Sequence, residues 1–579
     1  MTDVAAQSTD ADWVARMADE VIAESQRRSP GKPVVVASGL SPSGPIHLGN
    51  LREVMVPHLV ADEIRRRGMA VVHILSWDDY DRLRRVPADV DQSWTKHIGR
   101  PLTSVPAPPG SSYPNWAEHF RAPMADALAR LGVEYSGVSQ TQMYTSGAYT
   151  EQVLLAMRER NHIDAVLSRY RTRPARAVSA SGAAAPAEAG EQEAARLAAE
   201  GSGAADEDDG HTSAGYFPFR PYCSLCERDT TTVTSYNDET TAMTYTCDCG
   251  HGETVLLRDF HHGKLVWKVD WPMRWSYEGV VFEPSGVDHQ SPGSSFEVGG
   301  QLVREIFGGE QPIGPMYAFV GITGMAKMSS SRGAVPTPAD ALEIMEEFLL
   351  RWLYTRRRPN QAFSIAFDAE LHRLYDEWDA VERRVASGAA SDLDVSSYDR
   401  AVRTAAGELP RTPRPLPYRM LASVADITTG DRAQMLRILS DTDPDHPIGS
   451  LDEVRPRLDR AQTWVATQLP ADQRTRLRDE PDRAALDALT DAERGALKLL
   501  LDGLDSHWSI DGLSQLVYAV PKMQAGLPAD AKPTPELKAA QRAFFALVYR
   551  LMIGRETGPR LPTLLLAAGQ DRVRALLGG

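Results

Sequence analysis

Apolar positions along the chain switch between two periods, and the switches mark the elements. From about Asp12 to Arg28, Trp13, Met17, Val21 and Ile22 recur at helical spacing, which predicts an amphipathic lead-in helix. Val34-Val35-Val36 is a continuous run of β-formers with Ala37 at its end, the mark of a buried parallel strand. That strand runs into Ser38-Gly39-Leu40-Ser41-Pro42-Ser43-Gly44-Pro45, a turn of small residues. Ser43 and Gly44 suit a helix cap, and Pro45 suits a first helical position, where its missing N–H costs nothing. Beyond it Ile46, Leu51, Val54, Met55 and Leu59 can face a sheet from one helix, which Pro57 bends. A second strand, Ala70–Leu75, follows the stop at Gly68. Strand, helix, strand predicts a parallel sheet with a right-handed crossover and ligands at the carboxyl ends of its strands.

Ser76-Trp77-Asp78-Asp79-Tyr80-Asp81 sits at such an end. Its acids either serve a cationic ligand or belong to a solvated loop. Arg100–Pro114 reads as loop and His119–Leu131 as helix. Ala175–Gly210 is rich in Ala, Gly, Glu and Asp, the composition of a mobile insertion. Trp267, Trp271 and Trp275 stand four apart, a spacing that a helical core stripe would explain. The Val and Lys interleaved before Pro272 argue instead for a strand ending in a loop, and a strand is expected here. Gly286-Val287-Asp288-His289 and Pro292-Gly293-Ser294-Ser295 make a second small-residue turn, with a helix from Phe296 to Phe307. A strand over Tyr317–Val320 leads to Gly324-Met325-Ala326-Lys327-Met328-Ser329-Ser330-Ser331-Arg332-Gly333. From about Pro338 onward the pattern is helical. One helix is expected over Glu343–Tyr354, followed by Arg356-Arg357-Arg358, which either meet nucleic-acid backbone or end a solvated helix. Further helices are expected over Leu416–Ala425, Asp431–Leu439, Leu451–Leu469, Ala485–Leu504 and Pro535–Ile553.

Length and composition bound this picture. A chain of 579 residues predicts two to four domains. It is 42% hydrophobic and 24% charged, as ordinary globular chains are. It has no run of about eighteen apolar residues, so no membrane span is expected. Met1-Thr2-Asp3-Val4-Ala5 lacks a signal-peptide pattern, and a soluble cytoplasmic protein is expected. The net charge of −15 excludes an all-over basic surface but not a local basic patch for nucleic acid. The 4 cysteines all fall in one region, Cys223, Cys226, Cys247 and Cys249. Two close pairs about twenty residues apart favour metal over disulfide, and the Thr-rich stretch between them suits a β-hairpin. A closed structural zinc knuckle is expected; free thiols, or a remnant that has lost its metal, are the competing readings.

Candidate chemistry lies at two turns. A strand, a small-residue turn and a helix start let backbone N–H groups face an anion, and His47 adds a side-chain donor. Lys327 followed by small hydroxyl residues in a Gly-flanked loop can close on a phosphate chain. Each alone is common. The two in this order, each after a strand, are not.

With both in hand, the sequence resembles the class I aminoacyl-tRNA synthetases, and more narrowly the class I (archaeal-type) lysyl-tRNA synthetases. His47-Leu48-Gly49-Asn50 matches the HIGH signature in its H-x-G-N form, and Lys327–Ser331 matches KMSKS. The Trp267–Trp275 stretch, Gly286–His289, the cysteine pairs and Gly558-Pro559-Arg560-Leu561 resemble the same subfamily. The resemblance covers nearly all of the chain apart from Ala175–Gly210 and the first few residues. Two positions depart from it: Ser330 replaces the second Lys of KMSKS, and Asn50 replaces the second His of HIGH.

The resemblance implies an α/β protein. Residues 1–170 would be the first half of a Rossmann-like parallel-sheet catalytic domain, and 171–255 an insertion with the low-complexity segment and the zinc knuckle. Residues 256–345 would complete the catalytic domain, 346–460 would contact the tRNA stem, and 461–579 would be a C-terminal α-helical bundle that binds the anticodon. It implies activation of L-lysine by ATP with Mg²⁺, then transfer to tRNA(Lys), by a monomer that needs no membrane. His47, Asn50 and Lys327 would be catalytic. Pro42, Ser43, Gly44, Gly49, Met328, Ser329, Ser330 and Ser331 would join them around ATP. Gly39, Ser41, Trp267, His289 and Tyr317 would hold the amino acid. Cys223, Cys226, Cys247 and Cys249 would hold Zn²⁺.

Lysine rather than glutamate follows from one residue. Aligned on Pro42-Ser43-Gly44, Ala37 falls where the glutamate enzymes carry an Arg for their acidic substrate. An acidic side chain would lose its cation there, whereas an ammonium wants acids and aromatic faces, which Asp270, Trp267, Trp271 and Tyr317 supply. The alternatives are a glutamyl-tRNA synthetase of the same fold, a small nucleotidylyltransferase of the same superfamily and a non-catalytic synthetase-like RNA-binding protein. Intact His47 and Lys327 speak against the last of these.

Overall fold

In the computed structural model, strand β1 (Val34–Leu40) is hydrogen-bonded along both edges. The structure describes residues 12–88, 90–171, 210–290, 293–323, 335–428, 430–442, 446–528, 530–532 and 534–578. The segment 175–209 and the signature Lys327–Ser331 lie outside them. The chain divides into two units. One takes in the residues up to Leu342 with Glu347–Ala366 and Val381–Leu409; the other takes in Glu343–Glu346, Phe367–Ala380 and Pro410–Gly579.

The first unit opens with α1 (Trp13–Arg28), capped by the Asp12 carboxylate, which accepts the N–H groups of Val14 and Ala15. On one edge β1 pairs in parallel with β2 (Val71–Trp77), from Val34 opposite Val71 to Leu40 opposite Trp77. α2 (Leu51–Arg66) crosses between them, as the strand–helix–strand pattern predicts. Its apolar residues are buried on nearly every side, as in a helix enclosed by neighbours. β2 pairs in turn with β3 (Ser136–Ser139), after α3 (Trp116–Arg130). On the other edge of β1, the Val35 carbonyl accepts Val281 N–H at 2.8 Å and Ala37 N–H donates to Phe282 at 2.8 Å. Phe282 continues to Ile313 through another parallel bridge. The order of strands therefore reverses beside β1, and a crevice opens at the carboxyl ends there.

Three expectations from the sequence need correction. The helix after β1 does not begin at Pro45: a 3₁₀ turn, Leu48–Asn50, precedes Leu51, and Ser43–Ile46 is loop. The predicted helix over Glu343–Tyr354 is two, Pro338–Ile344 and Glu347–Thr355. The Trp stretch is a helix, Trp267–Glu278, with Pro272 inside it and Gly279 closing it at φ 69°. Tertiary packing overrode local preference. The four-residue spacing sets Trp271 and Trp275 on one face, where they bury against Ala37, Val280 and Val303. Gly299 is required for that packing, since a Cβ there would lie 2.9 Å from the Trp275 ring.

The cysteine region folds as a three-stranded antiparallel sheet, Thr231–Tyr236, Ala242–Cys247 and Gly252–Leu256. The expected hairpin is its first two strands.

The second unit is helical. Its helices include Tyr418–Thr428, Arg457–Thr467, Asp491–Gly503, Ile510–Gln524, Pro535–Ile553 and Leu561–Ala568. A buried ion cluster ties it together. Arg457 donates to Glu346 Oε2 and to Asp379 Oδ1, both at 2.9 Å, and Thr412 Oγ1 donates to the other Glu346 oxygen at 2.6 Å. Arg457 and Glu346 are each 1% exposed, so removing one partner strands the other charge out of water. Arg457→Met should lower unfolding stability by about 3–5 kcal/mol, measured as a shift in the denaturant midpoint of the full chain.

Candidate active site

The crevice beside β1 gathers most of the sequence-predicted residues that the structure describes. Gly39 and Ser41 stand at the carboxyl end of β1, and the turn Pro42–Asn50 wraps over it. Trp116 Nε1 holds that turn by donating to the Ser43 carbonyl at 3.0 Å. Leu48 N–H donates to Pro336 at 2.7 Å, and Asn50 N–H to His47 at 3.0 Å. Val320, in the strand Val320–Thr323, has its carbonyl 3.8 Å from where a Cβ on Gly49 would sit. Residues on both sides of the segment 324–334 therefore lie against the first signature.

His47 sits over Gly49. Its Nε2 is buried and has no hydrogen-bond partner among the described residues. Burial pushes its pKa down to about 4, so the imidazole is neutral at physiological pH. A neutral imidazole that carries its proton on Nε2 offers one donor and no charge. Gly49 makes room for it: a Cβ there would lie 2.8 Å from Nδ1 and 2.9 Å from Cε1 of His47.

The predicted amino-acid residues fall in two groups. Trp267 stacks on Trp271 at 5.1 Å, and the His289 ring lies 5.7 Å from Trp271 and 6.4 Å from Trp267. Tyr317 OH donates to Glu53 Oε2 at 3.3 Å. Gly39 links them, because a Cβ there would lie 3.9 Å from Asp78 Oδ2 and 4.0 Å from Glu53 Oε1. Asp78 in turn accepts from Arg274 Nη1 at 2.7 Å, and Arg274 lies over the Trp267 ring at 5.8 Å. The acids at the end of β2 are therefore not a solvated loop: Asp78 and Asp79 are 8% and 3% exposed. Asp79 accepts from Ser139 Oγ at 2.6 Å and Thr141 N–H at 2.8 Å, which fixes the start of the helix Gln140–Thr145.

Glu53 and Arg274 escaped the sequence reading. Glu53 is an acid in the first turn of α2, and nothing in its spacing singles it out. Arg274 stands four residues after Asp270 on the Trp helix, an i,i+4 pair that is invisible when the stretch is read as a strand.

The four cysteines come together, with every pair of Sγ atoms within 4.8 Å. Cys223 and Cys249 are 3.8 Å apart, and Cys226 and Cys247 are 3.6 Å apart. Tetrahedral zinc with Zn–S bonds of about 2.3 Å sets its sulfurs about 3.8 Å apart. The donor set and its spacing therefore fit such a metal and are too long for disulfides.

With the geometry in place, comparison with known proteins decides the family. The sequence model for "tRNA synthetases class I (K)" matches residues 11–408. The chain belongs to that family. Among the relatives of this synthetase chain, the lysine–tRNA ligase of Streptomyces coelicolor is 67% identical over 99% of this chain and 100% of that protein. The lysine–tRNA ligase of Pyrococcus horikoshii is 31% identical over 97% of each chain, and that of Treponema pallidum 32% identical over 98% of each. Among the described residues of this synthetase chain, no helix is long and apolar enough to cross a membrane.

The seat of His47 can be tested directly. In the native chain its ring should stay neutral down to about pH 4. Gly49→Ala should force the ring out of its pocket and return its titration toward the ordinary value of 6.5, as read by NMR of the histidine ring protons.

Proposed function

We propose that the chain is a lysine–tRNA ligase that activates L-lysine with ATP and transfers it to tRNA(Lys). The observation that carries this reading is the relative of that name, 67% identical along essentially the whole chain. The charge of the crevice agrees with it. Two carboxylates, Glu53 and Asp78, flank Gly39, and lysine brings two ammonium groups. Ala37 is packed beneath Trp271 and Trp275, so the position that would hold a cation for an acidic substrate presents none.

The first step needs no general base, because the lysine carboxylate is already a nucleophile. Its oxygen forms a bond to the α-phosphorus of ATP while the bond to the β-phosphate oxygen breaks. Lysyl-adenylate forms and pyrophosphate leaves. The protein's part is positioning and stabilisation of phosphate charge. In this reading His47 donates from Nε2 to a phosphate oxygen, and Asn50 with the turn Pro42-Ser43-Gly44 and Gly49 receives the nucleotide. Lys327, followed by Met328 and Ser329–Ser331, closes on the pyrophosphate side. Mg²⁺, when bound with ATP, neutralises part of the phosphate charge. With Ser330 in place of a second lysine, Lys327 and Arg332 carry more of that burden. A ribose hydroxyl at the tRNA end, the 2′-OH, then attacks the lysyl carbonyl carbon, and AMP leaves.

Gly39, Ser41, Trp267, His289 and Tyr317 take the amino acid in this reading, with Glu53 and Asp78 added. Residues 346–460 meet the tRNA stem and 461–579 the anticodon. Cys223, Cys226, Cys247 and Cys249 hold a structural Zn²⁺, all four positions filled by thiolate and none left for catalysis. The protein works as a cytoplasmic monomer.

ATP–pyrophosphate exchange with each of the twenty amino acids, with and without tRNA, tests the activity. Lysine-dependent exchange is expected; exchange with glutamate and not lysine would overturn the reading. Protein purified without chelator should carry about one zinc per chain, measured by atomic emission, and Cys226→Ser should lose it and melt at lower temperature.

A further inference from the structure

The lysine reading leaves open how the pocket commits to a cationic substrate, and the buried charges around Asp78 answer that on the strength of that reading. Asp78 closes the end of β2 and is 8% exposed. Its Oδ1 is taken by Arg274 Nη1 at 2.7 Å, and Nη1 also reaches Ser76 Oγ at 3.2 Å. Arg274 Nη2 donates to Asp270 Oδ2, and Tyr144 OH donates to Asp270 Oδ1. Leu265 N–H donates to Tyr144 OH at 3.2 Å. Asp270 is fully buried, and Arg274 and Tyr144 are each 4% exposed.

One acceptor in this chain of contacts is uncommitted. Asp78 Oδ2 makes no hydrogen bond within the described residues, and it is among the atoms nearest to a Cβ built on Gly39. The charge balance points the same way. Asp78, Asp81 and Asp270 face the two cations Arg274 and Lys264, and the Glu278 and Glu283 carboxyls also feel Arg274. Burial pushes Glu278 and Glu283 up to about 7, as expected where carboxyls outnumber cations out of water. A small cation entering beside Gly39 would meet a carboxylate oxygen already desolvated and oriented.

We infer that Asp78 Oδ2 accepts a primary ammonium group of the substrate, and that Arg274 is a positioning residue that reserves that oxygen. Arg274 does this by taking Oδ1 while its other arm is fixed on Asp270. A guanidinium suits the task because its planar fork can hold two carboxylates in fixed directions, which a lysine ammonium cannot. Glu53, with Tyr317 on its Oε2, lies on the other side of Gly39 and is left for the second ammonium.

The test is steady-state ATP–pyrophosphate exchange by the full chain and its variants. Asp78→Asn keeps the shape and removes the charge. It should raise KM for lysine about 100-fold while KM for ATP stays within about twofold of the native value. Arg274→Lys should raise KM for lysine about 10-fold, and Arg274→Met should raise it further. Thermal melting separates these effects from misfolding, and if the Arg274 variants do not fold, Asp78→Asn decides alone. Two competitive inhibitors then identify the ammonium: 6-aminohexanoate lacks the α-amino group, and 2-aminohexanoate lacks the ε-amino group. Asp78→Asn should weaken one at least tenfold more than the other. The inhibitor that is weakened retains the ammonium bound to Asp78, and either assignment supports the inference. An unchanged KM for lysine in Asp78→Asn, or equal effects on both inhibitors, overturns it while the lysine reading stands. A native chain without lysine-dependent exchange overturns the activity reading and this inference together.

Discussion

The backbone of β1 is committed on both edges, to β2 on one side and to Val281–Phe282 on the other. A strand so held can move neither along the sheet nor out of it. Everything that leaves its carboxyl end inherits that rigidity: Gly39, Ser41, the turn to Asn50 and the start of α2. The strand order reverses beside β1, so the helices that cover the sheet part at this point. The crevice is thus a consequence of topology, and the side chains that fill it are carried on the ends of rigid elements.

Two kinds of packing shape that crevice. The first is aromatic. Trp267, Trp271 and Trp275 descend the helix Trp267–Glu278, and Phe296 lies 5.8 Å from Trp271 and 5.4 Å from Trp275. Trp271 and Trp275 roof the β1 face that carries Val35 and Ala37. The second is ionic. Burial works against the charge on Arg274, yet Asp270 and Asp78 hold its pKa well above the ordinary value. Such a cluster is stable only when each charge finds a partner, and its geometry is correspondingly exact. The cysteine region joins the same body: Tyr222, next to Cys223, donates to the Tyr80 carbonyl at 2.6 Å, and the Tyr80 ring lies 5.8 Å from that of Tyr144. A metal-binding fold and a substrate crevice thus share one aromatic wall.

Much of this was legible in the chain itself. The period of the apolar residues located α1, β1, α2 and β2, and the four cysteines announced their own meeting. His47 and Gly49 could be singled out because a small-residue turn after a buried strand is short-range chemistry. Two errors came from trusting local preference. Val266, Val269 and Pro272 suggested a strand, but burial of the indole rings outweighed their weak helical propensity. Pro45 suggested a helix start, but the turn continues to a 3₁₀ segment whose Leu48 N–H is taken by Pro336, far along the chain.

By itself, then, the sequence determined the class of fold, the phosphate-facing turn, the thiolate set and the missing cation at Ala37. These rest on residue type and on spacing within a few positions, which one strand, turn or helix translates directly into geometry. Tertiary structure alone decided that Glu53 and Asp78 face each other across Gly39, and that Asp78 is buried rather than solvated. It also decided that Arg274 spans Asp78 and Asp270. Those residues are up to 221 positions apart, from Glu53 to Arg274. Which of a chain's many acids loses its water, and which cation it then meets, depends on how the elements pack, and no local pattern carries that information.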